Sequence, residues 1–429
     1  MALSLTTAGF HATGGNAVTR DGAYAVRQFL ASGTLTCTGS LSGATVLVVG
    51  GGGGGGCDNY SGGGGAGQFL AGTQDLSGTM SVTVAPSVGA QTIGNSSNFG
   101  SLTAVGGGAG GGNSSNGGNG ASGGGGGTDG GEGGTYVGGT GSAGHNGGST
   151  APWNYAGGGG GGAGSTGANG IGGTGGSGGS GLSSNISGST VWYAGGGGGG
   201  QSGGTGGMGG GGAGTWLGDG TTNATANTGG GGGSTGSCYN GTGGSGIVIV
   251  RYAIGNITVT NPPTGYYARL TDGTHVKDAA ASSGTATITP DAVQGFGPWT
   301  LRIYNGDPTG AGVQQGSDQT GVYGGDAWAY YSLWTKALAA SAHGAVVLTR
   351  RTGKHVAGSV RAAAVIARKT GLHRTASGSG AATLLARPAH VLAFAVSAGV
   401  SAVLKRQTHK PESASASVAV AAHRNVGKH

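Results

Sequence analysis

The chain has 429 residues, of which 113 are glycine, with 8% charged and 6% aromatic residues, 9 prolines and 3 cysteines. Glycine brings no side chain to bury and loses the most backbone entropy on folding, so the composition is not that of an ordinary globular enzyme. Scarce proline and the lack of a strict Gly-X-Y period exclude collagen. The formal charge of +7 hides an asymmetry: residues 337–429 hold 13 Lys and Arg against a single acid, Glu412, whereas residues 1–336 hold 7 against 12. A basic end on an acidic body points to an anionic partner or an acidic neighbouring protein, or else is a solvated face that keeps a weakly charged chain soluble.

Residues 1–38 read as an N-terminal lead-in. Segments 24–30 (YAVRQFL) and 34–38 (TLTCT), rich in aromatic and β-branched side chains and broken by Ser32-Gly33, predict a β-hairpin. The opening MALSLTTAGFHATGGNAVTR has no basic n-region, so no secretory signal is expected. No stretch reaches the 18 apolar residues of a membrane span, and the most apolar, 391–404, is interrupted by Ser397, Gly399 and Ser401, so no membrane insertion is expected. Cys37, Cys57 and Cys238 are odd in number and lack CxxC spacing. They argue against a disulfide framework or zinc site and predict buried free thiols, with a Cys37–Cys57 bridge as the alternative.

Residues 39–252 form a glycine-rich domain, in which 87 of the 208 residues from 39 to 246 are glycine. It opens with ATVLVV (44–49) running into seven glycines (50–56) and closes with IVIVRY (247–252). Both read as buried strands, and further strands are predicted at 79–85 and 101–105. A unit recurs: Tyr155-Ala156 followed by six glycines returns as Tyr193-Ala194 followed by six more, each copy with a tryptophan just upstream, Trp153 and Trp192. Framing strands and a recurring unit oppose the default reading of a flexible Gly/Ser linker.

Two ordered readings of the tract stand. Oligoglycine can form extended three-fold polyglycine II-like helices, rising about 3.1 Å per residue without internal hydrogen bonds. Their amides point outward, and with no Cβ between them neighbouring passes can bond laterally. Every buried backbone group needs a partner, so this state requires a packed lattice of several passes. Lateral bonds must offset about 1–2 kcal/mol of entropy per ordered residue, helped by anchors such as Trp153, Trp192 and Trp216. The other reading is irregular glycine loops on a β scaffold.

Residues 253–336 have ordinary composition. NITVT (256–260), YYARL (266–270), TATIT (285–289) and WTLRIY (299–304) alternate apolar and polar residues. Turns at Asn261-Pro262-Pro263, Asp272-Gly273 and Asn305-Gly306 separate them, predicting an immunoglobulin-like β-sandwich. The aromatic stretch 321–334 is expected to plug the end of this domain or a subunit junction. Residues 337–429 form a basic repeat array of about 18-residue period: RRTGKH (350–355) returns as RKTGLH (368–373), with looser copies ending at His390 and His409. A fixed period predicts one unit stacked on itself, here a β coil or hairpin per repeat in a β-fibrous array intertwined among three chains. The fold class is therefore mainly β throughout.

Chemical motifs are weak. GxGxxG carries no information at this glycine content, and Gly353-Lys354 and Gly427-Lys428 are followed by His rather than the Ser or Thr of a P-loop. Gly200-Gln201-Ser202-Gly203-Gly204 fits GxSxG but lacks a strand–elbow–helix context. Six histidines near repeat turns (His343, His355, His373, His390, His409, His423) could stack to hold a metal, but filling turn positions beside Arg and Lys is the preferred reading. The 13 acids are scattered and offer no glycosidase pair. The basic repeats contain one aromatic, Phe394, and lack the stacking platform of single-strand binders. No enzyme activity, cofactor, metal or nucleic-acid partner is expected.

A family resemblance rests on four features: the Phe-x-x-Ser-Gly-Thr-Leu strand opening at 29–35, the VLVV-polyglycine run at 46–56, the YAGGGGGG units, and the closing GGSGIVIVRY at 243–252. Residues 24–252 resemble the glycine-rich domain of tail-fibre and other structural proteins of tailed bacteriophages. Some phage adhesins of this kind fold their glycine tracts into polyglycine II lattices whose distal loops contact a receptor. The resemblance implies a virion protein, assembled in the host cytoplasm, released by lysis and exposed on the particle surface. It would be a homotrimeric tail fibre or adhesin, contacting other virion proteins and a host surface polysaccharide or outer-membrane protein, by binding and not catalysis. Candidate receptor-binding residues lie in the loops between glycine runs: Tyr60, Trp153, Asn154, Tyr155, Trp192, Tyr193 and Trp216. Their rings suit stacking on sugars and the amide suits hydroxyls; the other reading of each is a lattice anchor. The alternative function is a self-assembling filament or capsid-surface protein (head fibre or decoration) with no receptor role.

Overall fold

The structure, a computed structural model, describes residues 2–331 apart from 59, 130–134, 202–203, 216–222, 235–240 and 291–295, together with 345–349, 363–368, 380–386 and 400–405. The described residues are mainly β, in several sheets, with no helix among them. Through the glycine-rich domain the strands are β1 (Ala2–Thr7), β2 (His11–Thr13), β3 (Ala17–Asp21), β4 (Tyr24–Phe29), β5 (Gly33–Val49), β6 (Phe69–Thr83), β7 (Ser97–Phe99), β8 (Leu102–Ala104), β9 (Leu182–Ser184), β10 (Val191–Tyr193) and β11 (Ile247–Ala253).

The main sheet has the order β3-β4-β11-β5-β6-β7-β8, with β2 also pairing with β5. The closing strand β11 lies antiparallel between β4 and β5, Val248 opposite both Phe29 and Val48. The hairpin expected between 24–30 and 34–38 is therefore not formed, because β11 separates the two strands. The hairpin in this region joins β3 to β4 instead. The reason lies in the apolar runs. VLVV and IVIV have no polar alternation, so both of their faces must be covered. Val46, Val48, Val248 and Val250 pack with Phe29, Leu35 and Phe99 on one face. Leu47, Val49, Ile247 and Ile249 pack with Val26, Ala66 and Tyr193 on the other.

Between β5 and β6 the chain leaves the sheet as run 50–56 and returns as run 62–67. The partners of the first run change with a period of three. Gly50, Gly53 and Gly56 donate to Gln68, Gly65 and Gly62; Gly51 and Gly54 to Asn95 and Thr92; Gly52 and Gly55 to Gly244 and Gly241, all at 2.7–3.0 Å. Run 62–67 repeats the pattern with other partners. Gly62 and Gly65 donate to Gly111 and Gly108, Gly63 and Ala66 to Gly158 and Gly161, Gly64 and Gly67 to Gly232 and Gly229. It accepts in turn from 50–56, from Ser122 and Gly125, and from Gly197. Buried amides are thus satisfied sideways, by segments far apart in sequence, rather than along one ladder.

Side chains have no room inside this body. A Cβ on Gly64 would lie 2.2 Å from the Gly53 carbonyl oxygen. At several exposed N–H groups an asparagine supplies the acceptor. Asn116 Oδ1 accepts from Val137 N–H at 2.9 Å, Asn119 Oδ1 from Thr140 at 2.8 Å, and Asn169 Oδ1 from Ser149 at 2.8 Å.

The next strands are β12 (Ile257–Thr260), β13 (Tyr266–Thr271), β14 (Val276–Ala280), β15 (Thr285–Ile288), β16 (Trp299–Asn305), β17 (Val313–Gln314), β18 (Gln319–Val322) and β19 (Ala327–Tyr331). They form two sheets, β1-β19-β12-β15 and β14-β13-β16-β17, with β18 also on β16. Ile257, Val259, Ile288 and Trp328 of the first share a core with Leu270, Leu301, Ile303 and Val322 of the second. The aromatic stretch expected as a plug is instead partly strand: β19 runs antiparallel to β1 and parallel to β12, with Trp328 and Tyr330 buried. β1 thus completes a sheet whose other strands all lie beyond the glycine-rich domain in the chain.

Strands β20 (Ala345–Thr349), β21 (Ala363–Arg368), β22 (Gly380–Ala386) and β23 (Val400–Lys405) form a parallel sheet in chain order. Ala345 pairs with Ala363 and Ala363 with Ala381, 18 residues apart, and Gly380 with Val400, 20 residues apart. These are parallel pairings, so the hairpin-per-repeat alternative does not describe them. The two TG-x-H segments and all six of the histidines named above lie outside the described residues.

Candidate functional site

Run 50–56 carries the chain about 20 Å from the main sheet, at roughly 3 Å per extended residue. The glycine body therefore has a sheet end and a tip. At the tip, Ser61 Oγ bonds to Asp58 O at 2.6 Å and shares a 2.7 Å hydrogen bond with Ser234 Oγ. Tyr60 O accepts from Thr128 N–H at 3.0 Å. Tyr155 immediately precedes the run that meets Gly63, and its ring stands edge-on to Tyr60, with centroids 5.5 Å apart and planes at 76°. Trp153 occupies a turn at φ 58° with 69% of its surface exposed, and Tyr155 is 49% exposed.

Asn154, between them, is buried. Its Nδ2 donates to Gly170 O and its Oδ1 accepts from Gly173 N–H at 3.3 Å. It ties two tip turns together and leaves little amide surface for a ligand. The turn it holds presents Ile171, 70% exposed. Sequence reasoning missed that residue, although a lone isoleucine among glycines, with nothing to bury it, was the available signal.

Trp192 and Tyr193 are not part of this group. They lie on β10, paired with β9 at the sheet end. Tyr193 is 4% exposed, packed near Phe69, and burial raises its hydroxyl pKa against the opposing bond from Ser187. Trp192, one residue away on the other face, is partly exposed. The two Tyr-Ala-Gly copies explain the split. Gly63 and Ala66 donate to Gly158 and Gly161, so the first copy runs parallel to 62–67, from the tip downward. Gly64 and Ser61 accept from Gly197 and Gly200, so the second runs antiparallel and begins at the sheet. Identical sequences thus place their tyrosines at opposite ends. Trp216 lies outside the described residues.

Cys37 is a buried free thiol, its pKa raised by burial. Cys57, at the start of the tip turn, is disulfide-bonded, which corrects the expectation of free thiols. Its partner lies outside the described residues. Among the described residues no group of three or more His, Cys, Asp or Glu could hold a metal ion, and no helix is long and apolar enough to cross a membrane.

One group of ionisable residues sits at the seam between the main sheet and the second pair of sheets. Arg27 is buried, with Nε donating to Tyr252 Oη at 2.9 Å, Nη1 to Gly14 O at 2.7 Å, and Nη2 to Ala12 O. The His11 ring stacks on Tyr323 at 3.7 Å, 6° from parallel. Asp326 accepts from Gly9 N–H at 2.7 Å and Tyr323 N–H at 2.9 Å.

A family model described as a glycine-rich domain matches residues 30–253, more than half of the chain. The chain belongs to that glycine-rich domain family. The match starts just after β4 and ends on the last residue of β11, so the family domain comprises most of the main sheet and the whole glycine body. No curated protein matches the chain.

Proposed function

We propose that this chain is a structural, non-catalytic surface protein of the tail-fibre or adhesin type found on tailed bacteriophages, and that the tip of its glycine body binds a saccharide of a host envelope. The observation that carries the reading is the edge-to-face meeting of Tyr60 and Tyr155, from segments far apart in sequence, with the exposed Trp153 two residues from Tyr155, on a hydrogen-bonded body. Aromatic faces suit the apolar faces of sugar rings, and a preformed body loses little entropy on binding. The disulfide at Cys57 supports exposure outside a reducing cytosol. In the same reading, the period-three lateral bonding of 50–56 and 62–67 is that of polyglycine II-like helices, and the two sheets around Trp299 are an immunoglobulin-like sandwich.

The test is adsorption of the purified chain to envelope polysaccharide, with Trp153→Ala as the probe. An exposed tryptophan contributes little to folding, so the variant should keep its melting temperature and lose about tenfold or more in binding. Equal binding by the variant overturns the assignment of the tip. A self-assembling filament or capsid-surface role is the second reading, favoured by the parallel sheet β20–β23, whose outer strands each pair on one side only among the described residues, a pattern that suits addition of strands from another copy. Sedimentation separates the two: a discrete trimer supports the fibre, open-ended polymers the filament.

A further inference from the structure

A cleft lies at the sheet end of the glycine body, where the 184–188 segment meets β3, β5 and β11. Its volume is about 320 Å³, and Asp21, Thr45, Asn185 and Arg251 line it above an apolar floor of Leu47 and Ile186. Arg251 Nη1 meets Asp21 Oδ2 at 2.7 Å and donates to Ile186 O at 3.3 Å, while its guanidinium covers the Tyr24 ring at 4.3 Å. Those contacts hold the guanidinium in place where it lines the cleft. Among the described residues no side-chain hydrogen bond engages the Asn185 amide, the Thr45 hydroxyl or Asp21 Oδ1. Gly188 sits at φ 93°, and a Cβ there would come within 3.2 Å of the Asp21 carboxyl carbon. Lack of a side chain at 188 therefore keeps the space beside Asp21 open.

From this donor set we infer that the cleft is a site for a single neutral sugar ring, recognised through adjacent hydroxyls. A carboxylate that only accepts, a guanidinium that only donates and an amide that does both can each address a different hydroxyl. The Arg251–Asp21 pair cancels its own charge, which disfavours an anion as ligand. The volume lies at the low end for ligand pockets and matches one ring. Ala71 supplies the accessible apolar contact, because Leu47 and Ile186 beneath it are almost wholly buried and Arg251 already covers the Tyr24 face. The site is roughly 20 Å from the tip, and it does not depend on the reading of the tip.

The experiment is saturation-transfer NMR on the full chain with the methyl glycosides of glucose, galactose, mannose and N-acetylglucosamine. At least one should bind saturably with a Kd on the order of 1 mM, as expected of a small polar ligand. Asn185→Ala and Asp21→Asn should each weaken it about tenfold, and Thr45→Val should weaken it less. Trp153→Ala should leave it unchanged, which separates this cleft from the tip. Melting temperatures unchanged in Asn185→Ala and Thr45→Val show that folding is not the cause. No saturable binding of any of the four at about 50 mM, binding indifferent to Asn185→Ala and Asp21→Asn, or equal competition by inorganic phosphate would each overturn the assignment.

Discussion

Replacing Gly64 by alanine is the most direct perturbation of the glycine body. In an unconstrained site Gly→Ala stabilises a protein by about 0.4–1 kcal/mol, through the unfolded chain. At Gly64 the new Cβ lies 2.2 Å from Gly53 O and 2.8 Å from Gly54 O, both backbone atoms. Ordinary contact requires about 3.4 Å, so run 50–56 must move by about 1 Å. That shift stretches the 2.9 Å bond from Gly53 N–H to Gly65 O beyond hydrogen-bonding range. Overpacking costs about 1–3 kcal/mol, and a buried unpaired amide adds about 1–3 kcal/mol. The net expectation is destabilisation by about 3 kcal/mol, or a melting temperature lower by roughly 6–12 °C for a domain of this size. Gly89 is the control: it is exposed and an added Cβ meets nothing within 4 Å. Gly89→Ala should be neutral or slightly stabilising in the same calorimetric scan. A Gly64→Ala protein that melts at or above the parent would refute the packed arrangement and favour loose glycine loops.

Other consequences can be checked separately. Arg27→Met keeps the aliphatic stem but strands the Ala12 and Gly14 carbonyls; chemical unfolding should report a loss of about 2–4 kcal/mol, with faster amide exchange around β2. The His11 pKa is lowered, chiefly by burial and further by Arg27, against the opposing pull of Asp326. The unfolded chain therefore binds the proton more readily, and stability should be full above about pH 6.5 and fall as pH drops through that value toward the lower folded pKa. His11→Phe, which retains the stack on Tyr323, should flatten that slope in urea titrations run from pH 7.5 to 5. Thiol titration should find no reactive cysteine in the native chain and one after denaturation without reductant, because Cys37 is buried and free while Cys57 is bonded; two or three thiols would contradict the bond.

Strand positions were largely legible wherever side chains alternate. NITVT, YYARL, TATIT and WTLRIY became β12, β13, β15 and β16 with ends shifted by a residue or so. The uninterrupted apolar runs VLVV and IVIV likewise announced strands covered on both faces. Partner choice was less accessible. Local order proposed a hairpin between 24–30 and 34–38, whereas β11, from the far end of the domain, takes the place between β4 and β5. The candidate site shows the same division. Aromatic residues were visible, yet only the directions of the two Tyr-Ala-Gly runs put Tyr155 at the tip and Tyr193 in the core. The 172–181 segment, GGTGGSGGSG, carries a polar residue at every third position, a repeat that matches the observed three-residue change of hydrogen-bond partner and was there to be read.

By itself the sequence determined the material of this protein. Short β-branched runs must pair, and glycine tracts without side chains can be buried only if their amides bond to something else. Which segment supplies each bond was decided by the tertiary structure alone. A glycine run presents the same N–H and C=O groups at every position, so it encodes neither its neighbours nor its direction. Gly63 could have met any of many equivalent glycines; it meets Gly158 because the strands, turns and side chains at the ends of the runs fix where each pass begins.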